Sequence, residues 1–88
     1  MNKEALTQAN NVDKLVRMAN QIGTFFASMP DHEEGVDGVA NHLKKFWEPR
    51  MRKALFAALD TGQVSDQLNE IVLKATTKHR QLLLDGCH

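Results

Sequence analysis

At 88 residues the chain is one domain with a narrow stability margin, because a domain this small buries only about two thirds of its unfolded surface. Eleven Lys plus Arg balance eleven Asp plus Glu, and zero formal charge argues against the long-range field that nucleic acid or an anionic membrane would need. A single cysteine, Cys87, allows no internal disulfide and suits a reducing compartment, and no basic-then-apolar leader or membrane-length apolar run occurs, so the expectation is a soluble, cytoplasmic protein.

Residues 1–9 carry weak periodicity and read as a flexible lead-in, with Asn10 or Asn11 as the cap of a first helix and residues 10–88 as one helical domain. Leu15, Met18, Ala19, Ile22, Phe25, Phe26 and Met29 recur at helical spacing and define one apolar face that Pro30 ends. Asp31, with Glu34 three positions on, has the form of a capping box for a second helix whose face is Val36, Val39, Ala40, Leu43, Phe46 and Trp47. Proline is tolerated at the first position of a helix, so Pro49 predicts a kink at Trp47-Glu48 and a restart. Met51, Ala54, Leu55, Ala58 and Leu59 form the third stripe, and Gly62 supplies a left-handed stop. Ser65 is placed to cap a fourth helix with the stripe Leu68, Ile71, Val72, Ala75, His79, Leu82 and Leu83, closed by Gly86. No strand-like alternation appears. The expected fold is all-α, a small bundle of about four helices joined by short loops.

One phrase occurs twice, as MANQIGTFF at 18–26 and VANHLKKFW at 39–47. Both copies run apolar, Ala, Asn, amide or imidazole, aliphatic, two fillers and two aromatics, which is more than amphipathicity demands. Either two core-facing helices converged on similar stripes, or the two helices do similar jobs. Asn20 with Gln21 and Asn41 with His42 are solvated helix sides in the plainer reading, and in the sharper one they hydrogen-bond a partner and fix its register. Gly23, between Ala19 and Ala27, makes a ridge of small side chains that invites a close helix, either the second helix of this chain or an external one.

Catalytic chemistry finds little to work with. One cysteine cannot hold an iron–sulfur cluster, which needs four thiolates. The histidines His32, His42, His79 and His88 lack a spacing that would pair two imidazoles on one helical face, and Cys87-His88 lacks further metal ligands. Gly35 and Gly38, without a preceding strand, suit close helix packing better than phosphate binding. His79 interrupts an aliphatic stripe. Its expected state is partly buried and hydrogen-bonded; facing a partner, it would make docking pH-sensitive. The junction from Lys44 to Lys53 concentrates five cations around Phe46, Trp47 and Pro49. Arg and Trp commonly anchor protein interfaces, so Trp47, Arg50 and Arg52, with Phe56 nearby, form the first choice for a docking surface.

KLVRMANQIGTFF, the Met29-Pro30-Asp31 break and VANHLKKFWEPRMR together resemble the delta subunit of NAD-dependent formate dehydrogenases that contain molybdenum or tungsten. The resemblance covers residues 13–55, is most specific at FWEPRMR, and weakens before Asp13 and after Asp60. It implies a non-catalytic accessory subunit that binds the catalytic subunit of a formate dehydrogenase and helps assemble or stabilise the complex. It also implies that molybdopterin, iron–sulfur clusters and FMN are carried by the other subunits. The alternative is a freestanding helical interaction module, self-associating through the small-residue ridge or the fourth stripe. A nucleic-acid-binding domain working through the junction cations is a further class, and it predicts affinity that falls steeply with salt.

Overall fold

The computed structural model describes the backbone of residues 3–86 and the side chains of residues 12–86. Cys87 and His88, at the chain end considered above, lie outside the described residues. Among the described residues there are five helices: α1 (Lys3–Ala27), α2 (His32–Phe46), α3 (Pro49–Asp60), α4 (Glu70–Lys78) and α5 (Arg80–Leu84). None is long and apolar enough to cross a membrane.

The punctuation read from the sequence governs the first half of the fold. Asp31 adopts an extended conformation, and its Oδ1 accepts from the backbone N–H groups of Glu33 at 2.9 Å and Glu34 at 3.2 Å, satisfying two orphan donors of α2. Trp47 and Glu48 are extended and Pro49 opens α3, so the kink falls where proline requires it. At Gly62 φ is +76°, the left-handed conformation that stops α3. Helix α1 begins at Lys3, upstream of the cap expected at Asn10 or Asn11.

The second half departs from expectation in two places. Ser65 does not start a helix: its hydroxyl donates to the Gly62 carbonyl, and α4 begins only at Glu70. Residues 61–69 therefore form a longer connection, pinned by the burial of Val64 and Leu68. The fourth helix then breaks at His79, where φ is −112° and ψ 27°, and resumes as α5. One turn earlier the Thr76 hydroxyl donates to the carbonyls of Val72 at 2.9 Å and Leu73 at 3.0 Å, a back-bonding arrangement that bends helices.

The core runs through every helix. Leu15, Val16 and Ala19 of α1 meet Val36, Val39, Ala40 and Leu43 of α2, with Leu55 and Phe56 of α3, Ile71, Val72 and Ala75 of α4 and Leu83 of α5. Helix α1 approaches its neighbours closely at glycines. A Cβ on Gly23 would stand 2.7 Å from Val72 Cγ2, so the glycine of the small-residue ridge packs on α4. A Cβ on Gly35 would stand 2.6 Å from the Phe26 carbonyl oxygen, and one on Gly38 2.5 Å from the Phe26 ring. The Gly35/Gly38 pair is thus the bed on which the C-terminal turn of α1 crosses α2.

Candidate docking surface

Two of the polar side chains expected to face a partner, Asn20 and Arg52, are used inside the chain. The Asn20 Oδ1 accepts from the Asn69 backbone N–H at 2.8 Å, its Nδ2 donates to the Gln67 carbonyl at 2.9 Å, and its own carbonyl accepts from Asn69 Nδ2 at 3.1 Å. Asn20 therefore ties the 61–69 connection to α1 and sets where α4 begins. Arg52 is only 5 % exposed, and its Nη1 donates to the carbonyls of Lys44 at 2.9 Å and Trp47 at 3.1 Å. A cation here satisfies carbonyls that α2, ended without a glycine, leaves open, and it complements the negative end of the helix dipole. Lys44 plays a similar part for α5, its ammonium donating to the carbonyls of Leu82 and Asp85 at 3.1 Å each.

Trp47 is buried, as is Phe56, over whose ring the Arg80 guanidinium sits at 5.1 Å. Arg80 in turn holds Asp60 through two bonds of 2.9 and 2.8 Å, which keeps the Asp60 carboxyl below the usual range. Five of the expected contact residues, Asn20, Gly23, Trp47, Arg52 and Phe56, are therefore internal. Their physical work is capping and packing.

His79 is half-buried, and its Nε2 lies 2.7 Å from Asp37 Oδ1. A carboxylate only accepts, so the imidazole nitrogen is the donor. Lys78 adds a bond to the same oxygen at 3.1 Å and another to Glu33 at 2.8 Å. The His79 bond first, and Lys78 second, hold the Asp37 carboxyl below the usual range. This cluster pins the α4–α5 junction to α2. Among the described residues no group of three or more His, Cys, Asp or Glu is placed to hold a metal ion.

Two large aromatic side chains are left at the surface. Phe25 is 68 % exposed and Phe46 70 %, although both belong to stripes that the sequence assigns to the core. They hold the same position in the two copies of the repeated phrase. Between them runs a row of rings: Phe25 meets Phe26 edge-on at 5.0 Å, Phe26 meets His42 at 6.4 Å, and His42 meets Phe46 at 4.7 Å. Gln21, Ile22, Phe25, Phe26 and His42 line a groove between α1 and α2. The amide and imidazole of the two phrases thus join their aromatics on one face.

A second groove follows between α1 and α3, lined by Lys14, Leu15, Met18, Arg50, Met51 and Ala54. At 3.6 residues per turn, the α1 residues of both grooves fall within an arc of about 140°. The two grooves thus lie on a single face of α1, the first lined by aromatics and the second flanked by cations, and together are referred to as the trough. Of the expected contact residues, Gln21, His42 and Arg50 line it, while Asn41 is exposed on α2. Phe25, Lys14, Met18 and Met51 line it although sequence reasoning does not assign them to a surface, and Phe46 adjoins it through the His42 ring. The available signal is the matched first aromatic of each phrase.

A family model described as "NADH-dependant formate dehydrogenase delta subunit FdsD" matches residues 14–76, well over half of the chain. The chain belongs to this formate dehydrogenase delta-subunit family. The match begins at Lys14, the first cation of the trough, and reaches Thr76 in α4. It therefore extends past the 13–55 stretch that carries the resemblance, through the Asn20-tethered connection and into the fourth helix. No curated protein and no solved structure matches the chain.

Proposed function

We propose that this delta-subunit family member is a non-catalytic accessory subunit that binds the catalytic subunit of a cytoplasmic, NAD-dependent formate dehydrogenase and helps assemble or stabilise the complex. The observation that carries the reading is the exposed pair Phe25 and Phe46 in a chain of this family. Burying a phenylalanine side chain is worth about 1.5–3 kcal/mol, and a domain this small has little apolar surface to leave in water without use. The trough is the part of the molecule where a partner recovers that free energy.

The mechanism is differential binding. A subunit that fits one conformation of its partner better than another shifts the partner toward it by the difference in affinity, with no chemistry of its own. The molybdopterin, the iron–sulfur clusters and the FMN then belong to the other subunits. The donor set fits that division, since one cysteine falls short of the four thiolates a cluster takes. The test is a pull-down of the tagged chain from its native cytoplasm, with mass spectrometry of what is retained and light scattering on the chain alone. Recovery of a molybdopterin oxidoreductase with its flavin and iron–sulfur subunits is the expected result. Recovery of no such subunit, with a stable dimer in isolation, would replace the accessory reading by a self-associating module.

A further inference from the structure

Resting on the accessory reading, we infer that the trough on α1 takes an amphipathic helix of about three turns from a formate dehydrogenase subunit, apolar at its Phe25–Phe46 end and carboxylate-bearing at its Lys14–Arg50 end. The dimensions come from α1 itself. Lys14 and Phe25 mark the two ends, and eleven steps of 1.5 Å separate them by about 16 Å, the length of about three helical turns. An apolar helix face laid into a groove of this kind is a recurrent mode of recognition.

The polarity comes from charge. Lys14 and Arg50 are exposed, neither has an ion-pair partner among the described residues, and neither groove has an Asp or Glu in its lining. Other cations of this chain are engaged internally: Lys78 with Glu33 and Asp37, Arg80 with Asp60, Lys74 with Glu70. A zero net charge makes this unanswered pair a local feature. Carboxylates on the occupant would answer it, and complementary rim charges of this sort set docking direction and rate.

A second copy fits poorly, because it offers the same face with the same cations and no carboxylate in the lining. Nucleic acid would need a longer basic track than two side chains beside an apolar floor. Between the two ends, the exposed amide of Gln21 and the half-buried imidazole of His42 are placed to hydrogen-bond polar groups along the occupant's edge and fix its register.

The experiment places the photo-crosslinking residue p-benzoylphenylalanine at Phe25 in one tagged chain and at Met51 in another, within the assembled complex, and maps the linked peptides by mass spectrometry. Both probes are expected to reach one stretch of about eleven residues in a formate dehydrogenase subunit, apolar near the Phe25 probe and rich in Asp or Glu near the Met51 probe. The Lys14→Glu/Arg50→Glu chain is expected to capture the complex about tenfold less well, with a weaker salt dependence. Links to separate or acid-free stretches of those subunits would overturn the inference and leave the accessory reading standing, as would a retained complex that neither probe reaches. Links to a second copy of the chain would overturn the inference in favour of self-association. Failure to retain any formate dehydrogenase subunit would overturn both.

Discussion

The two copies of the repeated phrase share a pattern and divide their labour. In the first, Asn20 is locked into three hydrogen bonds with the 61–69 connection; in the second, Asn41 is exposed on α2. The closing aromatic of the first copy, Phe26, is half-buried on Gly38, whereas that of the second, Trp47, is sealed in the core. The alanines Ala19 and Ala40 are both buried, as a core demands, but the penultimate aromatics Phe25 and Phe46 are both exposed. Where the copies differ, the neighbouring element decides the outcome: α4 and its connection take up the first copy, while the α2–α3 kink takes up the second. Where they agree against the demands of the core, the shared feature is the one on which the proposed docking surface rests.

Substitutions sharpen that contrast. The largest effect is expected at Trp47→Ala, a loss of about 3–5 kcal/mol in denaturant unfolding, since the indole is buried and leaves a cavity. Arg52→Ala should follow with about 1–3 kcal/mol, because it strands carbonyls at the end of α2, while its neighbour Arg50→Ala should stay within about 0.5 kcal/mol of wild type. Equal effects of the two arginines would refute the division between a capping and a surface cation.

Gly35→Ala tests the crossing of α1 over α2. The gain of about 1 kcal/mol in helix propensity is set against a contact of 2.6 Å with backbone, which cannot rotate aside. Overpacking typically costs about 1–3 kcal/mol, so the variant should melt lower, and a higher melting point would show that the crossing can relax. The Asn pair compares the phrases directly: Asn20→Ala should cost about 1–2 kcal/mol and Asn41→Ala next to nothing by the same unfolding measurement.

The smallest effect is the acid dependence at Asp37. Its folded pKa is lowered by His79 and Lys78, so its contribution is complete above the ordinary carboxylate value and disappears as pH falls through the lower folded one. Wild type should therefore lose part of its advantage over Asp37→Asn below about pH 4. A constant difference between the two from pH 7 downward would show that the cluster does not stabilise the fold through charge.

Much of the architecture is legible in the local sequence. The Asp31 cap, the Pro49 restart and the Gly62 stop follow from local rules that the structure obeys, and the stripes of α1, α2 and α3 face the core except at Phe25 and Phe46. The start of α4 is not local: it depends on Asn20, 49 positions away from Asn69, which no short window of sequence contains. The break at His79 has a local clue in Thr76 but also draws on Asp37 and Asp60. The candidate docking surface overlaps the residues picked out by sequence only in part. Gln21, His42 and Arg50 reach the trough, whereas Arg52 and Phe56 do not, because cations beside a kink can serve either solvent or stranded carbonyls and periodicity cannot distinguish them. Spacing assigns Phe25 and Phe46 to the core, and only their matched place in a repeated phrase hints otherwise.

The most direct test is to replace the two aromatics that the phrases share. Phe25→Ser/Phe46→Ser should keep its helicity and lie within about 1 kcal/mol of wild type in unfolding, since both rings are mostly exposed. This variant is expected to capture no formate dehydrogenase subunits from a lysate of its native cells at concentrations where wild type does. Undiminished capture by a folded double variant would contradict the role given to these rings and remove the aromatic face from the interface.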